Sequence, residues 1–187
     1  MRIFPDKLSV VLDIETTELA VVETLFPEIV EIGACLVDSE LTIHEEFTSL
    51  VQPIGLEHFT DFSESFTGIT PAQLADAPKW VEIWPVFARF THYRGCRLIS
   101  FGMGFDYGVL RQSYHQIRVK WPHAYPVIDA LSMVYAIAAE YGLRIPGWGL
   151  AACCKRFGVP LEDKHRALGG ARTVVQVLQA ATQLTGG

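Results

Sequence analysis

A chain of 187 residues, half of them hydrophobic, is long enough for one domain with a full core and needs no disulfide or metal staple to hold it. Its formal net charge of −6 excludes a non-specific duplex binder with a broad basic face. No run of about 18 apolar residues occurs, and "MRIFPDKLSV" lacks the apolar stretch and cleavage site of a secretory signal, so a cytoplasmic protein with no membrane partner is expected. Charge is uneven: residues 1–50 carry two basic and eleven acidic side chains, whereas Lys155, Arg156, Lys164, Arg166 and Arg172 make the last part locally basic. Cys35, Cys96, Cys153 and Cys154 show no C-x-x-C spacing and read as small core residues. Nothing in the pattern sets an oligomeric state.

In chain order, "LSVVLDIETT" gives a strand at about 7–14, apolar enough to be buried on both faces. "PEIVEIGACLVDSELTIHEEFTSLVQP" gives a hairpin of strands at about 28–38 and 41–51, closed by Pro53. "TGITPAQLADAP" supplies Thr70 as N-cap, Pro71 at the first helical position and Gln73 three residues on, a capping-box signature for a short helix. A longer helix at about 78–91 should turn Trp80, Ile83, Val86 and Phe87 to one face. "RLISFG" is a fourth strand leading straight into the helix of "FDYGVLRQSYHQ", and "AYPVID" a fifth leading into "ALSMVYAIAAEYG", closed by Gly142. "GWGLAACCKRFGV" is a short helix ending near Gly158, and Ala171, Val174, Val175, Leu178 and Ala181 stripe a C-terminal one. A hairpin followed by alternating strands and helices predicts an α/β protein, a mixed sheet flanked by helices.

Asp13 and Glu15, two apart on the first strand, leave the same face of the sheet with Cα atoms roughly 6 to 7 Å apart. Hard cations such as Mg²⁺ prefer carboxylate oxygens, and two of them about 4 Å apart clamp the attacking and leaving oxygens of a phosphodiester. An acid at the end of a wholly apolar run is costly unless something balances it. Asp106 follows the fourth strand at the start of a helix, where the helix dipole also favours it. His165, between Lys164 and Arg166, is the side-chain type best suited to take a proton from water near neutral pH.

"VLDIETT", "SFGMGFDYGVL" and "HRALGGAR", with "PEIVEIGACLVD" and "TGIT" between them, resemble in order the motifs of the DEDD family of 3′→5′ exonucleases, in its histidine-containing DEDDh branch. The details look similar to the small Eri-type exonucleases, whose members act on RNA 3′ ends. The resemblance implies a single ribonuclease H-like domain over residues 1–187, with five strands in the order 3-2-1-4-5, the second antiparallel to the rest. It also implies a two-metal site for Mg²⁺ or Mn²⁺ with Asp13, Glu15 and Asp106 as ligands, and His165 as general base. Ile14, Thr16 and Thr17 would contact the terminal nucleotide, and Phe105 would lie beside the scissile end. The implied reaction converts single-stranded RNA or DNA 3′ ends to nucleoside 5′-monophosphates; the alternative is an inactive nucleic-acid- or protein-binding module.

The third motif departs from the pattern. The family has an aspartate five residues after the histidine, usually preceded by another; here Gly169 and Gly170 stand in those places. Losing even an outer partner of a metal site typically costs about 10 to 100-fold, and losing a carboxylate that touches the ion should be no milder. Activity is therefore expected to be impaired, and Gly170→Asp to accelerate it. Glu162 and Asp163 are the nearest acids that could compensate, while Asp129 reads as a helix-starting residue and not a ligand.

Overall fold

The computed structural model describes residues 8–18, 26–92, 95–123, 127–147, 149–161 and 165–184. Strand β1 (Ser9–Thr16) runs through the middle of a five-stranded sheet, its apolar side chains alternating between two separate cores. β2 (Ile29–Val37) pairs antiparallel with it, and all nine of its residues are buried. β3 (Ile43–Leu50) closes the hairpin as an edge strand, and β4 (Arg97–Ser100) lies parallel to β1 on the other side. β5 (Ile128–Asp129) extends β4 in parallel, giving the order β3-β2-β1-β4-β5. The topology is the one the resemblance implies.

Between β3 and β4 lie α1 (Asp61–Thr67), α2 (Pro71–Ala75) and α3 (Trp80–Phe90). The capping box predicted for α2 is present: Gln73 N–H donates to Thr70 Oγ1 at 3.2 Å and the Thr70 amide to Gln73 Oε1 at 2.8 Å. On α3, Trp80, Ile83 and Phe87 are buried as expected, but Val86 is exposed; the apolar stripe is narrower than its spacing suggested. α4 (Met103–Gln116) follows β4, α5 (Ala130–Glu140) follows β5, and α6 (Leu150–Phe157) and α7 (Ala167–Gln183) complete the chain.

Val11, Cys35 and Ile99 meet α5, α6 and the whole apolar stripe of α7 on one side of the sheet. Val10, Leu12, Ile14 and Leu98 meet α3 and α4 on the other. A third, small cluster of Val30, Phe59, Ile69 and Leu74 docks the α1–α2 segment against the start of β2. Val30 is the residue skipped where the β1–β2 register shifts between Glu15 and Thr16, a bulge at the end of β1 where the predicted site residues sit. All four cysteines are buried thiols. No helix among the described residues is long and apolar enough to cross a membrane.

α1 has no counterpart in the sequence reading. Its buried residues are Ser63 and Thr67, while Phe62 is 60% exposed, the reverse of an ordinary amphipathic helix. It is held by polar ties: Thr60 caps its N-terminus, Gly68 ends it in the left-handed region at φ 70°, and Ser63 Oγ donates to the Thr17 carbonyl at 2.6 Å.

Candidate functional site

The C-terminal ends of β1 and β4 lie side by side, and each delivers acids to the same place. β1 ends in Asp13 and Glu15; β4 ends in Ser100 and turns through Gly102, which takes φ 75°, into the first turn of α4 with Asp106. Asp129 caps α5 through the Leu131 and Ser132 amides, and its Oδ1 also accepts the Gly102 and Met103 amides, fixing the turn that aims Asp106. Its reading as a helix-starting residue holds, with this second task added.

Electrostatics tie the three acids together. Burial, then the charges of Asp106 and Glu15, push the Asp13 carboxyl well above the usual carboxylate range. Burial and the facing Glu31 push Glu15 up to about 7, and the Arg166 guanidinium partly offsets this. Burial and Glu15 push Asp106 up to about 8, against the favourable influence of the Ser100 side chain. Asp106 is only 6% exposed, and its Oδ2 has no hydrogen-bond partner among the described residues. Carboxylates crowded in this way call for protons or a cation. The hard-oxygen donor set and the orphaned Asp106 oxygen suit a divalent ion such as Mg²⁺ or Mn²⁺. Among the described residues no three His, Cys, Asp or Glu side chains form a ready-made metal cage.

Glu31 was not singled out in the sequence. It stands directly across from Glu15 in the β1–β2 ladder, in a strand where every other residue is also buried. Like charges in that position repel, and Arg166 answers them. Its Nε donates to the two Glu31 oxygens at 3.2 and 3.0 Å, and Nη2 to Oε1 at 2.6 Å. Glu31 also accepts the Ala167 amide at 3.0 Å, so a strand residue caps α7 where the Arg166 side chain does not. The signal was available: a lone acid inside an all-apolar strand must have a partner.

His165 immediately precedes this clamp. Its backbone lies in the left-handed region at φ 66°, and its ring packs against Phe66 with centroids 3.6 Å apart. Phe66 in turn stacks on Phe62 at 5.9 Å. The outward-facing aromatics of α1 therefore form a file ending on the predicted general base.

The other predicted residues fare unevenly. Ile14, Thr16 and Thr17 are 6%, 5% and 1% exposed: Ile14 is core, Thr16 donates to the Glu18 carbonyl, and Thr17 Oγ1 accepts the Glu28 amide at 3.1 Å. Their side chains serve packing and loop closure. Phe105 is half-buried against the core beneath α4. Glu162, Asp163 and Lys164 lie outside the described residues. Arg166 and Arg172, read as part of a basic segment, are committed to Glu31 and Glu46; Arg172 meets Glu46 with contacts of 2.7 and 2.6 Å. A cavity of about 340 Å³ lined by Glu28, Val51, Lys79, Trp80 and Ile117 contains none of these acids.

Gly170 sits one turn into α7, over β1. A Cβ built there would run into the Asp13 carboxylate, with Cγ at 2.7 Å and Oδ2 nearer still. A side chain at 170 would therefore lie against Asp13, whose carboxylate would have to turn to make room for it.

A family profile described as Exonuclease matches residues 10–178. A Mycobacterium tuberculosis protein named as a bifunctional exonuclease/endonuclease is 31% identical over 159 residues, covering 84% of this chain and 23% of its own length. A PolC-type DNA polymerase III of Staphylococcus aureus is 30% identical over 167 residues, covering 89% of this chain and 11% of its own. The chain therefore spans less than a quarter of these relatives. Among solved structures, the nuclease domain of 3′hExo, a DEDDh family member bound to rAMP, superposes with a TM-score of 0.80 at 20% identity over 100% of this chain and 96% of that one.

Proposed function

Because the chain belongs to the exonuclease family whose profile spans residues 10–178, we propose that these residues form a metal-dependent 3′→5′ exonuclease domain that trims single-stranded RNA or DNA to nucleoside 5′-monophosphates. The observation that carries this reading is the convergence of Asp13, Glu15 and Asp106, three acids whose charged forms burial and mutual repulsion disfavour, beside the Glu31–Arg166 clamp that His165 precedes. Such strained carboxylates mark function more often than structure.

In this reading the three acids hold Mg²⁺ or Mn²⁺. A divalent cation there supplies charge neutralisation at the scissile phosphate and makes water a stronger acid. His165 accepts the proton of the attacking water at an imidazole nitrogen. The Phe66 ring limits how the imidazole can turn, and the Glu31–Arg166 clamp fixes its backbone. Exposed Phe62 offers a face on which a base can stack without regard to sequence. The motif details look similar to the Eri-type branch, whose members act on RNA 3′ ends, and the assay below includes both nucleic acids.

The test is a 5′-labelled single strand, RNA or DNA, incubated at pH 8 with Mn²⁺ or Mg²⁺. Stepwise shortening from the 3′ end, stopped by EDTA and absent in Asp106→Asn, supports the proposal. Retention of the strand without shortening, for both nucleic acids and both ions, would establish the binding-module reading instead.

A further inference from the structure

On the nuclease reading above, we propose that the outer flank of α4 and the segment after it carry the single strand upstream of the scissile phosphate. Arg111, His115, Arg118 and Lys120 hold its phosphates, and Tyr107 and Trp121 meet its bases.

Charge sets this flank apart. From residue 107 to residue 128 the chain holds Arg111, Arg118 and Lys120 and not one acid, although its net charge is −6. Arg111, His115, Arg118 and Lys120 are all exposed. Tyr107, Arg111 and His115 recur every four residues and so follow one side of α4. His115, Arg118 and Lys120 line one open depression at its end.

The flank also begins at the acids. Tyr107 is the residue after Asp106, and Trp121 packs edge-on against its ring with centroids 5.3 Å apart, so the segment after α4 doubles back along the helix. Arg111 donates to the Tyr107 hydroxyl at 3.1 Å, with its guanidinium carbon 5.6 Å from the centre of that ring. Cations interleaved with half-buried aromatics, leading away from the place of cleavage, fit a flexible polyanion whose bases stack without regard to sequence.

Local structure alone does not call for these charges. Arg118 N–H donates to the His115 carbonyl and Val119 N–H to the Tyr114 carbonyl, both at 3.0 Å, closing α4 on a residue at φ 57°. Glycine is the usual residue in that turn, yet an arginine occupies it. Cations at a helix C-terminus also suit its dipole, a role that shows in melting temperature and not in affinity for a strand.

The experiment titrates a 5′-fluorescent strand of about 12 nucleotides in EDTA by anisotropy, and compares its KM and kcat in Mn²⁺ with those of a dinucleotide too short to reach the flank. Removing two phosphate contacts should lower the slope of log affinity against log salt by about 1.4, and at about 0.1 M salt weaken binding at least tenfold. Arg118→Gln/Lys120→Gln should show both effects and raise KM for the long strand, with kcat held and no rise in KM for the dinucleotide. Arg118→Lys/Lys120→Arg, which keeps the charges, should bind as wild type does. Should the glutamine pair fail to fold, Arg118→Gly decides: it suits the left-handed backbone, so it should weaken binding about fivefold without lowering the melting temperature. Unchanged affinity and salt slope in these variants, or an equal loss on the dinucleotide, overturns the proposal and leaves the nuclease reading intact. Binding that the glutamine pair weakens, in a wild-type protein that cleaves nothing, keeps the flank as a strand-binding surface and overturns the nuclease reading. A wild-type protein that neither binds nor cleaves overturns both.

Discussion

Replacing Glu31 by glutamine keeps the volume of the side chain and one carbonyl acceptor for the Ala167 amide, but removes the charge that Arg166 grips through three contacts of 2.6 to 3.2 Å. Hydrogen bonds to charged groups are worth about 1.5–3 kcal/mol and neutral ones about 0.5–1.5. The Arg166 side chain is 50% exposed, so solvent screens it and the lower end applies. Relief of the repulsion between Glu31 and Glu15 offsets part of the remainder. The net loss is about 1 kcal/mol, or about 2–4 °C in melting temperature for a chain of this size. Glu31→Ala also strands the buried Ala167 amide, adding about 1–3 kcal/mol, so it should melt markedly lower. Differential scanning calorimetry at pH 7 gives both values. With His165 next to the loosened clamp, kcat should fall about tenfold in Glu31→Gln while KM holds, an estimate from the typical cost of removing an outer partner. Wild-type melting and wild-type kcat in Glu31→Gln would refute the reasoning, since the clamp would then bear on neither the fold nor the base.

Three further outcomes follow from the same geometry. His123, fully buried between Thr91 and Tyr114, has its pKa lowered to about 4 by burial. The unfolded chain thus takes up a proton first, and the contribution is complete above 6.5 and lost as pH falls from there toward 4. At about 1.4 kcal/mol per pH unit it reaches about 3 kcal/mol; urea titrations across that window should show it as the stability difference between wild type and His123→Gln, which shrinks as pH falls. Glu15 and Asp106 work in the other direction, because their raised pKa values make the folded state hold protons that the unfolded chain releases. Their contribution to metal-free stability should therefore decline as pH rises from about 5 to 8, and Asp106→Asn should melt higher than wild type in EDTA at pH 8.5; a lower melting temperature would contradict the crowding described here. Phe62→Ala, at a 60% exposed position, should leave the melting temperature within a degree and raise KM for a single strand about tenfold, in line with about 1–3 kcal/mol for a stacked base.

What could be read from the residues divides along physical lines. β1, β2 and α7 announced themselves because burial on two faces, or along one stripe, leaves a hydrophobic period. α2 announced itself by Thr70, Pro71 and Gln73. α1 did not, because its inner face is Ser63 and Thr67, held by hydrogen bonds, and its aromatics face outward toward His165. "TGIT" was recognised as a segment before its physics was visible. Thr67 ties back to the Ser63 carbonyl, Gly68 turns the chain in the left-handed region, Ile69 anchors the small core and Thr70 starts the next helix. Asp13, Glu15, Asp106 and His165 could be named from their motifs, but the Glu31 clamp required knowing that position 31 faces Glu15. The close seat of α7 on β2 was the least legible, since Gly33 in a strand signals a near neighbour without saying which.

The contact between Gly170 and Asp13 bears on how this chain can change over time. Glycine and aspartate codons lie one base apart, so a return to the common family residue is within constant mutational reach. In this protein a side chain restored there would lie against Asp13, so the step asks that carboxylate to turn. A change that looks confined to one helix position is therefore coupled to the conformation of a strand residue across from it.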